Sequence, residues 1–379
     1  MRDGDRPRIL FAAGGTGGHV YPAIAVADEI RRLNPLSAIV FAGTRDKMEW
    51  DAVPKAGYEI SPITVAGFQR GRIVQNLGTP FKAIRGFLQS LSLVRAFDPD
   101  VAVGTGGYVA GPVLAAAAAL KRRVVVQEQN AYAGVTNRLV GRWADEIHLA
   151  FPEAVKFFPK ERCHMTGNPT RSELHGADRS EGRAFYDVPS EAQLVFVFGG
   201  SLGSEAFNRV LVDLAPAIAR ENRFLLWQTG PRYYDRVVQT IGNNERIRLR
   251  RYIDRMDLAY AASDLVVARA GASTCSELMM TGTPSILVPS PNVAEDHQTR
   301  NAESLVSANA AALLKESDMT NLLVETIDTL ITDQDLLHTM GAAAAQLARP
   351  EAATEIAQAV LRLAGAFEAN DLYAGAVHG

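Results

Sequence analysis

The chain has 379 residues, of which 47% are hydrophobic and 21% are charged, so it is long enough for two ordinary globular domains. Its formal net charge of -3 argues against general nucleic-acid binding, because that function requires a strongly basic face. Cys163 and Cys275 lie far apart and outside any metal-ligand spacing, which indicates a reducing compartment rather than a disulfide framework or a zinc site.

The first predicted element is a strand at Arg8–Ala13, which runs directly into the glycine-rich stretch Gly14–His19. A helix should start just after this stretch, because Pro22 suits a first helical turn and apolar residues then recur at helical spacing. A helix N-terminus behind glycines is an anion-binding geometry. The stretch matches neither the dinucleotide fingerprint nor the P-loop, so a purely structural turn is an alternative. His19 favours a catalytic role over a purely structural turn, since it places a titratable side chain at the mouth of the turn.

Short β-rich runs alternate with helical stretches along the rest of the first half, and the same alternation restarts in the second half. This pattern is typical of a parallel, doubly wound sheet and predicts two similar α/β units in succession. The further strand candidates are Ala38–Ala42, Val101–Val103, Val124–Gln127, Glu146–Leu149 and His164–Thr166 in the first half, and Leu194–Phe198, Phe224–Gln228, Ile247–Tyr252, Leu265–Ala268, Ser285–Val288 and Ala311–Leu314 in the second.

The best linker candidate comprises the Gly-Asn-Pro run at 167–169 and the charged segment Ser172–Glu191, so the domain boundary is placed near Gly167. After Pro350, apolar residues at helical spacing predict a last helix. This helix either closes the second domain or crosses back to the first. The predicted segments are therefore 1–166, 167–350 and 351–379.

Two further glycine-rich loops follow predicted strands, at Gly104–Gly107 in the first half and Gly199–Gly203 in the second. Open α/β sheets bind their ligands beyond the carboxyl ends of the strands. Together with Gly14–Gly18, these loops are therefore expected to lie along one edge of each domain. Two such edges facing each other would form a cleft, which is the default ligand site.

The segment from Ile60 to Phe97 is basic, because no Asp or Glu occurs between Glu59 and Asp98. Thr79 followed by proline predicts a helix start with Thr79 as the cap. Apolar residues then recur three and four positions apart, so most of that stripe should face the core. The stripe consists of Leu77, Phe81, Ile84, Leu88 and Leu91.

The other apolar and basic residues of 60–97 are candidates for contact with an anionic membrane surface, to which each Lys or Arg contributes roughly 1 kcal/mol. They are Arg70, Arg72, Ile73, Val74, Lys82, Arg85, Phe87 and Arg95, joined by Lys121, Arg122 and Arg123. The polar N-terminus predicts no signal peptide, and the longest apolar stretch, 109–120, is too short to span a bilayer. Any membrane contact is therefore expected to be peripheral.

The stretch Arg269–Glu277 directly follows the strand candidate Leu265–Ala268. Its small residues leave backbone N–H groups unobstructed, and a helix starting at Ala272 or Ser273 would direct those donors and its positive dipole end at a diphosphate. Glu277, about a turn further along, offers the carboxylate that a ribose site requires. A capping carboxylate, favoured by the same dipole, is the equal alternative for Glu277.

Polar residues follow predicted elements at two other places. Glu128–Asn130 comes after the apolar residues Val124–Val126 and Gln127, and it could read a sugar, although a turn-forming asparagine with solvated neighbours is the alternative. Asp296–Asn301 has the pattern of a polar loop entering a helix, and taken alone it is explained by a solvated helix start.

Seven motifs occur in order along the chain. They are GGTGGH at Gly14–His19, VGTGGYVAGP at Val103–Pro112, EQN at Glu128–Asn130, GNPTR at Gly167–Arg171, GGSLG at Gly199–Gly203, RAGASTCSE at Arg269–Glu277 and DHQTRNA at Asp296–Ala302. Taken together, they closely resemble the motifs of the bacterial MurG family, and their order and spacing match from near Arg8 to beyond residue 340. Gln127 departs from the family pattern, which has histidine there, and Ser204-Glu205 stand where the usual continuation begins with alanine.

The resemblance implies an α/β protein of the GT-B fold, in which two Rossmann-like domains with doubly wound parallel sheets face each other across a cleft. It implies an enzyme that transfers N-acetylglucosamine from UDP-N-acetylglucosamine to undecaprenyl-diphospho-N-acetylmuramoyl-pentapeptide, or lipid I. The product would be lipid II, made for peptidoglycan at the cytoplasmic face of the bacterial membrane by a peripheral protein. Domain 1–166 would be the acceptor and membrane side, and domain 167–350 would bind the UDP-sugar.

The resemblance also implies roles for individual residues. In the second domain, Ile253 would hold uracil through its backbone, Ala272, Ser273, Thr274, Cys275 and Ser276 the diphosphate, and Glu277 the ribose. Gln298 and Asn130 would read the sugar, Ser201 and Arg171 would bracket the nucleotide, and Thr16, Gly17 and Gly18 would approach the transferring centre.

The implied chemistry is inverting, because the acceptor 4-hydroxyl attacks the anomeric carbon opposite the departing UDP. Such a step requires a general base and a stabilised leaving diphosphate. His19 is the candidate base, and a hydrogen bond from His19 to the acceptor diphosphate is the alternative. Helix N–H groups would serve where other transferases use a metal, so neither a metal nor an obligatory cofactor is expected.

Two other functions remain open at this point. A UDP-N-acetylglucosamine 2-epimerase can use a similar two-domain fold, and it would need neither a lipid acceptor nor a basic apolar face. A nucleotide-sugar-binding subunit without catalysis is the second alternative, and the presence of His19, Glu277 and Gln298 argues against it.

Overall fold

The computed structural model describes residues 6–65, 79–170, 174 and 176–366. The chain divides into two compact units, the first formed by 1–170 with 349–379 and the second by 171–348. The predictions for Arg70, Arg72, Ile73, Val74, Leu77 and Arg171 lie outside the described residues.

The first unit is a seven-stranded sheet in the order β3-β2-β1-β4-β5-β6-β7, and all of its strand pairs are parallel. Its strands are β1 (Arg8–Ala13), β2 (Ala38–Gly43), β3 (Glu59–Pro62), β4 (Val101–Gly106), β5 (Arg123–Glu128), β6 (Glu146–Leu149) and β7 (Cys163–His164). Its helices are α1 (Gly17–Leu33), α2 (Glu49–Lys55), α3 (Thr79–Phe97), α4 (Ala110–Ala119), α5 (Val135–Val140) and α14 (Ala352–Leu363), with short 3-10 turns at Pro152–Phe157 and Lys160–Arg162.

The second unit is a six-stranded parallel sheet in the order β10-β9-β8-β11-β12-β13. Its strands are β8 (Gln193–Phe198), β9 (Arg223–Gln228), β10 (Ile247–Arg250), β11 (Leu265–Ala268), β12 (Ser285–Leu287) and β13 (Ala312–Leu313). Its helices are α6 (Arg179–Phe185), α7 (Glu205–Ile218), α8 (Tyr234–Ile241), α9 (Met256–Ala262), α10 (Ala272–Thr281), α11 (His297–Ser307), α12 (Met319–Thr332) and α13 (Gln334–Gln346), with 3-10 turns at Ala294–Asp296 and Glu316–Asp318.

The strand order reverses once in each unit, between β1 and β4 in the first and between β8 and β11 in the second. Helices cover both faces of these sheets, which is why β1 and β8 read as continuous apolar runs with buried side chains. The carboxyl ends of two neighbouring strands at such a reversal are where doubly wound folds bind ligands. The glycine-rich loops after β1, β4 and β8 follow the carboxyl ends of their strands, as predicted, and all three lie at these two reversals.

The C-terminal helix α14 belongs to the first unit, which agrees with the second of the two alternatives for this helix, the return to the first unit. Ile356 and Val360 are buried in the same apolar cluster as Ile30 of α1. Thr354 donates a hydrogen bond to Glu29 at 3.0 Å. The segment at the proposed boundary also packs in this unit, because a Cβ at Gly167 would stand 2.3 Å from Arg349 Cβ.

A strand forms at each predicted place, although β7 shares only His164 with the predicted His164–Thr166, and two other local predictions were wrong. Strand β3 was missed, because its four residues carry little apolar pattern and are only half-buried or exposed. Helix α1 begins at Gly17, inside the glycine-rich stretch, so Pro22 lies within the helix and not in its first turn. Glycine can adopt helical backbone angles, and the N–H groups of the first turn have no acceptor inside the helix in any case, so glycines can occupy these positions.

Helix α3 begins at Thr79 as predicted, but its apolar stripe does not face the core throughout. Ile84 and Leu88 are 60% and 59% exposed, whereas Phe87 and Leu91 pack against the core of the first unit. The helix is therefore rotated relative to the predicted stripe. None of the helices in the described ranges combines the length and the hydrophobicity needed to cross a bilayer.

Candidate functional site

In the first unit, the loop between β1 and α1 is in contact with the end of β4. Gly15 has a φ of +89° and Gly107 a φ of +81°, which is a backbone region that favours glycine. A Cβ at Gly107 would stand 2.2 Å from the Gly14 carbonyl oxygen. The two loops can approach this closely only because both positions lack a side chain.

Thr16, Gly17 and Gly18 form the start of α1, with Thr16 at the N-cap position. The Thr16 side chain makes no capping hydrogen bond, so the first N–H groups of α1 are not satisfied by it. Its hydroxyl oxygen lies instead 3.1 Å from Nδ1 of His19. The predicted anion-binding geometry is therefore present at this helix end.

His19 is half-buried at the strand reversal and is held from two sides. Its Nδ1 lies 3.3 Å from the Gly14 carbonyl oxygen, and its own carbonyl accepts a 2.7 Å hydrogen bond from the Thr105 hydroxyl. The Gly14 carbonyl oxygen can only accept, so its contact with Nδ1 is a hydrogen bond when the proton is on Nδ1 and the lone pair on Nε2, whereas the Thr16 hydroxyl can bond Nδ1 in either tautomer. A Cβ at Gly106 would stand 2.8 Å from His19 Cδ2, so glycine is needed beside the ring.

At the end of β5, the buried carboxylate of Glu128 organises the loop that carries Asn130. It accepts the Asn130 backbone N–H at 3.0 Å, Asn130 Nδ2 at 3.2 Å and the Gly134 N–H at 3.0 Å. Asn137 Nδ2 donates to the same carboxylate at 2.9 Å. Burial raises the pKa of Glu128, although these hydrogen bonds oppose that rise. The Asn130 amide is therefore held in a defined orientation, more than a solvated turn requires.

Gln127, which replaces the histidine of the family pattern, is buried within the first unit. Its Nε2 donates to Asn168 Oδ1 at 3.3 Å, and Gln129 donates to both Gln127 and the Thr105 carbonyl. The glutamine at position 127 therefore takes part in an internal network of side-chain amides, which joins β5 to β4 and to Asn168.

In the second unit, the loop Gly199–Gly203 joins β8 to α7 and packs against the end of β9. A Cβ at Gly203 would stand 2.0 Å from the Thr229 carbonyl oxygen, and Ser201 at the loop tip is exposed. Ser204 accepts the Phe207 N–H at 3.4 Å as the N-cap of α7. This capping role gives a structural reason for serine at a position where the family pattern has alanine.

Helix α10 begins at Ala272, one of the two predicted starts. Its N-cap residue is Gly271, which has no side chain to cap the helix. The Cys275 N–H is bonded to the Gly271 carbonyl at 2.9 Å, and the Ser276 hydroxyl to the Ala272 carbonyl at 2.9 Å. Burial raises the pKa of the Cys275 thiol to about 12, which keeps it neutral.

These hydrogen bonds reduce the predicted diphosphate ligands of α10 from five residues to three. A helix leaves only its first N–H groups without an internal acceptor. In α10 these are the N–H groups of Ala272, Ser273 and Thr274, whereas Cys275 and Ser276 bond inside the helix. The arrangement presents backbone donors and a positive dipole end, which suit an anion. Across the described ranges, no group of three or more His, Cys, Asp or Glu side chains is arranged to hold a metal ion.

Glu277 lies in the second turn of α10, beyond the first-turn position at which a capping carboxylate acts. The hydroxyl of Tyr260 donates to its Oε2 at 2.8 Å. This bond orients a half-buried carboxylate five residues beyond the first residue of the helix, Ala272. Of the two interpretations of Glu277, its position therefore favours a ligand-binding carboxylate.

Helix α11 is tied to the loop that precedes α10. Asn301 is fully buried and its Nδ2 donates to the Ala270 carbonyl at 3.1 Å. Gln298 is held as well, because its Oε1 accepts the Ser290 N–H at 2.8 Å, which directs the other half of the amide away from that backbone. Glu295 and Asp296, just before the helix, have φ values of 58° and 52°, a backbone strain typical of functional loops. The motif is therefore more than a solvated helix start.

The predicted backbone contact of Ile253 with uracil is restricted by Gln228. The buried side chain of Gln228 accepts the Ile253 N–H at 2.7 Å and donates to the Gly200 carbonyl at 3.0 Å. While this bridge is in place, only the Ile253 carbonyl can contact a base. Gln228 thus connects the loop of β8 to the end of β10, a role that the sequence pattern did not reveal.

Arg269 is another residue whose role the sequence pattern did not reveal. It is buried, donates to the Val288 and Pro289 carbonyls at 3.2 and 3.1 Å, and bonds the Ser204 hydroxyl at 3.0 Å. It also pairs with Glu316 and lies over the Phe207 ring at 4.5 Å. The sequence does contain a signal for this role, because an arginine directly after a buried strand is a charge that needs hydrogen-bond or ion-pair partners.

The surface of the first unit carries exposed apolar side chains on α3 and beside α5, two helices that both pack against α4. On α3 these are Ile84 and Leu88, with Arg85 and Arg95 exposed on the same helix. Two of the predicted membrane-facing cations are engaged elsewhere, since Arg122 pairs with Asp98 and Arg123 with Asp145. The exposed residues in and just after α5 are Val135, Leu139, Arg142 and Trp143.

Comparison with known proteins agrees with this architecture. The glycosyltransferase family 28 N-terminal domain matches residues 9–149, and the glycosyltransferase family 28 C-terminal domain matches residues 194–356. The structure resembles the crystal structure of Acinetobacter baumannii MurG with a TM-score of 0.77 and 28% identity over 94% of this chain and 99% of that one. It also shares its fold with the UDP-GlcNAc 2-epimerase from Neisseria meningitidis, with a TM-score of 0.64 and 12% identity over 94% of this chain and 100% of that one.

Two relatives are similar over nearly their whole length. A protein of Salinibacter ruber is 52% identical over 96% of this chain and 99% of its own, and one of Flavobacterium psychrophilum is 39% identical over 94% and 97%. Both are named UDP-N-acetylglucosamine–N-acetylmuramyl-(pentapeptide) pyrophosphoryl-undecaprenol N-acetylglucosamine transferase. With its two parallel-sheet Rossmann-like units of the GT-B class, the chain belongs to the MurG family within glycosyltransferase family 28.

Proposed function

We propose that this protein transfers N-acetylglucosamine from UDP-N-acetylglucosamine to the 4-hydroxyl of lipid I, which makes lipid II for peptidoglycan. The observation that carries the proposal is the 52% identity, over nearly the whole chain, to a relative named for this transfer. Two pre-formed helix ends at the strand reversals, one beside a histidine and one beside a carboxylate, support it.

The second unit is proposed to bind the donor. The N–H groups of Ala272–Thr274 and the dipole of α10 would stabilise the diphosphate, both in the bound donor and as leaving group. Glu277 would accept the ribose hydroxyls, and the Ile253 carbonyl would contact uracil. Ser201 and Arg171 would bracket the nucleotide, while Gln298, with Asn130 of the first unit, would read the sugar.

The first unit is proposed to act on the acceptor. Thr16, Gly17 and Gly18 would hold the acceptor diphosphate at the start of α1. His19, with its lone pair on Nε2, would take the proton of the acceptor 4-hydroxyl as that oxygen attacks the anomeric carbon. The bond from that carbon to UDP breaks as the new bond forms on the opposite face, so the configuration inverts.

The purified protein should release UDP from UDP-N-acetylglucosamine only when a lipid I analogue is supplied. UDP release that is unchanged by omitting the analogue would overturn the proposal. Formation of the 2-epimer from the donor alone would support the epimerase, with which this chain shares a fold. Donor binding without turnover in the complete mixture would indicate a non-catalytic binding subunit.

The membrane surface is a second part of the proposal. We infer that the first unit contacts an anionic bilayer as a peripheral protein at the cytoplasmic face, because its substrate lipid I is anchored there. The exposed apolar residues of α3 and those in and beside α5, flanked by arginines, support this contact. The pairing of Arg122 and Arg123 with carboxylates makes these two cations lesser contributors than predicted.

Vesicle binding tests the membrane surface. Ile84→Glu combined with Leu88→Glu should weaken sedimentation with anionic vesicles by about 10-fold or more, since burying each such side chain is worth roughly 1.5–3 kcal/mol. Arg85→Glu should weaken it less. Leu322→Glu with Leu336→Glu is the matched control, because those exposed leucines lie in the second unit. Equal binding of the Ile84 and Leu88 double variant and the unmodified protein would contradict the contact.

A further inference from the structure

The first unit contains a buried carboxylate that the proposed reaction does not use. Glu49, the first residue of α2, is 0% exposed. Its Oε2 accepts the Gly15 N–H at 3.0 Å, and its Oε1 accepts the Thr44 N–H at 3.1 Å. Both oxygens therefore bind backbone donors, one of which belongs to the glycine-rich loop after β1.

The surroundings are shaped to admit this carboxylate. A Cβ at Gly14 would stand 2.6 Å from Glu49 Oε1, and a Cβ at Gly43 would stand 2.8 Å from Glu49 Cγ. Any side chain at either glycine would displace the Glu49 side chain. Two glycines thus leave space for one buried acid beneath the loop, which is a costly arrangement unless its hydrogen bonds are satisfied.

The hydrogen bond to Gly15 connects Glu49 to His19 through a single peptide group. The N–H of Gly15 and the carbonyl of Gly14 belong to the same peptide bond, which is trans like the other described bonds. In a trans peptide these two groups point in opposite directions. Glu49 receives the N–H on one side, and His19 Nδ1 lies 3.3 Å from the carbonyl oxygen on the other.

We propose that Glu49 is a positioning residue for His19, acting through the Gly14–Gly15 peptide. The carboxylate polarises this peptide, and the carbonyl then accepts the Nδ1 proton more strongly. The imidazole is thereby held in the tautomer whose lone pair is on Nε2. The negative charge also stabilises the imidazolium that forms when His19 takes a proton. This effect on catalysis rests on the proposed function of His19.

Glu49→Gln tests the connection, because the amide keeps the size of the side chain and removes its charge. Glu59→Gln, at an exposed carboxylate on β3, is the matched control. We expect turnover to fall by about 10-fold in Glu49→Gln, with an unchanged KM for UDP-N-acetylglucosamine, since positioning effects act on the base and not on donor binding. The acid limb of the pH profile of kcat/KM should move to lower pH, because the protonated imidazole loses a favourable charge.

Nitrogen NMR of labelled histidine separates this proposal from the proposed function. In the unmodified protein the His19 signals should show the Nδ1–H tautomer, and in Glu49→Gln a mixture of tautomers. This result is expected whether or not His19 is the general base. An unchanged tautomer with an unchanged acid limb would overturn the connection.

A measurement on the unmodified protein covers the case in which Glu49→Gln does not fold. The amide proton of Gly15 should shift with pH at the same midpoint as the His19 ring, since the Gly15 N–H belongs to the same peptide group as the carbonyl that the ring contacts. A Gly15 amide that does not follow the His19 titration would overturn the proposal. Loss of transferase activity in every assay, with this coupled titration intact, would count against the proposed function and not against the connection.

Discussion

The two units have the same strand order around their reversals, yet they differ in what their helix ends carry. In the first unit, the loop peptide before α1 is bound by the Glu49 carboxylate and lies against His19. In the second unit, α10 begins behind Gly271 with no side chain on its first N–H groups. The start of α1 in the first unit thus lies beside an imidazole, and the start of α10 in the second unit presents backbone N–H groups that no side chain caps.

With the diphosphate proposed to bind at α10, glycine content alone does not identify an anion site. The most glycine-rich loop of the second unit, Gly199–Gly203, leads into α7, whose N-terminus is already capped by Ser204. The loop before α10 contains the single glycine Gly271, and its helix is uncapped. Whether the first N–H groups are already satisfied is therefore the better criterion for an anion site.

The largest effect is expected from His19→Ala, which removes the feature that distinguishes the first unit. Turnover should fall by about 100-fold or more, the scale of a lost general base, while UDP binding stays nearly intact. Steady-state kinetics with a lipid I analogue and calorimetry with UDP measure the two quantities. Wild-type turnover would remove His19 from the mechanism. A loss of UDP affinity as large as the loss of turnover would contradict the division of roles between the units.

Glu277→Ala should have the opposite signature, because it changes the second unit. The KM for UDP-N-acetylglucosamine should rise by about 10- to 100-fold, as expected for the loss of hydrogen bonds to a charged group. Tyr260→Phe, which removes only the hydroxyl that orients Glu277, should raise this KM by about 3-fold. A fall in kcat without a change in KM would show that Glu277 does not bind the donor.

The repeated architecture was predictable because it depends on local patterns. Apolar runs such as Leu265–Ala268, followed by small residues, specify buried parallel strands and exposed turns wherever they occur. The position of the loops at the carboxyl edges followed from the same alternation. The start of α10 at Ala272 was predictable because small residues there leave the backbone accessible.

The partners of the site were not predictable, since they are distant in sequence. Glu49 binds Gly15 across 34 positions, and Asn301 binds Ala270 across 31. Neither residue belongs to a periodic pattern, because each meets its partner only after the strands have paired. The face of α3 was misjudged for a related reason: Ile84 and Phe87 are equally apolar, and only packing against the sheet decides which is buried.

Gly271→Ser would make the second helix end resemble the capped end of α7. The φ of -66° and ψ of 148° at Gly271 suit a capping serine, and a Cβ there would stand 3.9 Å from Thr274 Oγ1. The new hydroxyl would accept an N–H that the diphosphate needs, so UDP should bind about 5- to 10-fold more weakly.

Gly271→Ala is the control for Gly271→Ser, since it adds the Cβ without the hydroxyl. Calorimetry should show near wild-type UDP affinity for this variant. If both variants bind UDP as tightly as the unmodified protein, the N-terminus of α10 is not the diphosphate site. If both bind equally weakly, the cause is steric and the capping argument is wrong.

The smallest expected effect concerns a cluster of ionisable side chains that distinguishes the sheet of the first unit from the sheet of the second. Strand β6 of the first unit carries Glu146 and the buried His148, whereas its topological counterpart in the second unit, β13, consists of Ala312–Leu313. His148 Nε2 lies 3.6 Å from Glu146 Oε2, and His164 stacks on the His148 ring at 5.4 Å. Glu146 also accepts a 2.6 Å hydrogen bond from Arg362 of α14.

The pKa shifts in this cluster make the first unit sensitive to acid. Burial lowers the pKa of His148, although Glu146 opposes the shift. Burial raises the pKa of Glu146, but its contacts with His148, Arg362 and His164 outweigh this and leave the pKa lowered. Both groups therefore bind fewer protons in the folded unit than in the unfolded chain. Stability is accordingly lost as pH falls below about 6.5 for His148, and at still lower pH for Glu146.

His148→Gln should flatten this dependence between about pH 7 and about pH 5, because the variant no longer takes up a proton on unfolding. Urea unfolding at several pH values, with proteolysis and mass spectrometry to assign cleavage sites to each unit, measures the effect. His164→Gln is the control, since the His164 side chain is 45% exposed, and it should retain most of the acid sensitivity. Acid sensitivity that appears equally in the second unit, or that survives in His148→Gln, would show that this cluster is not its cause.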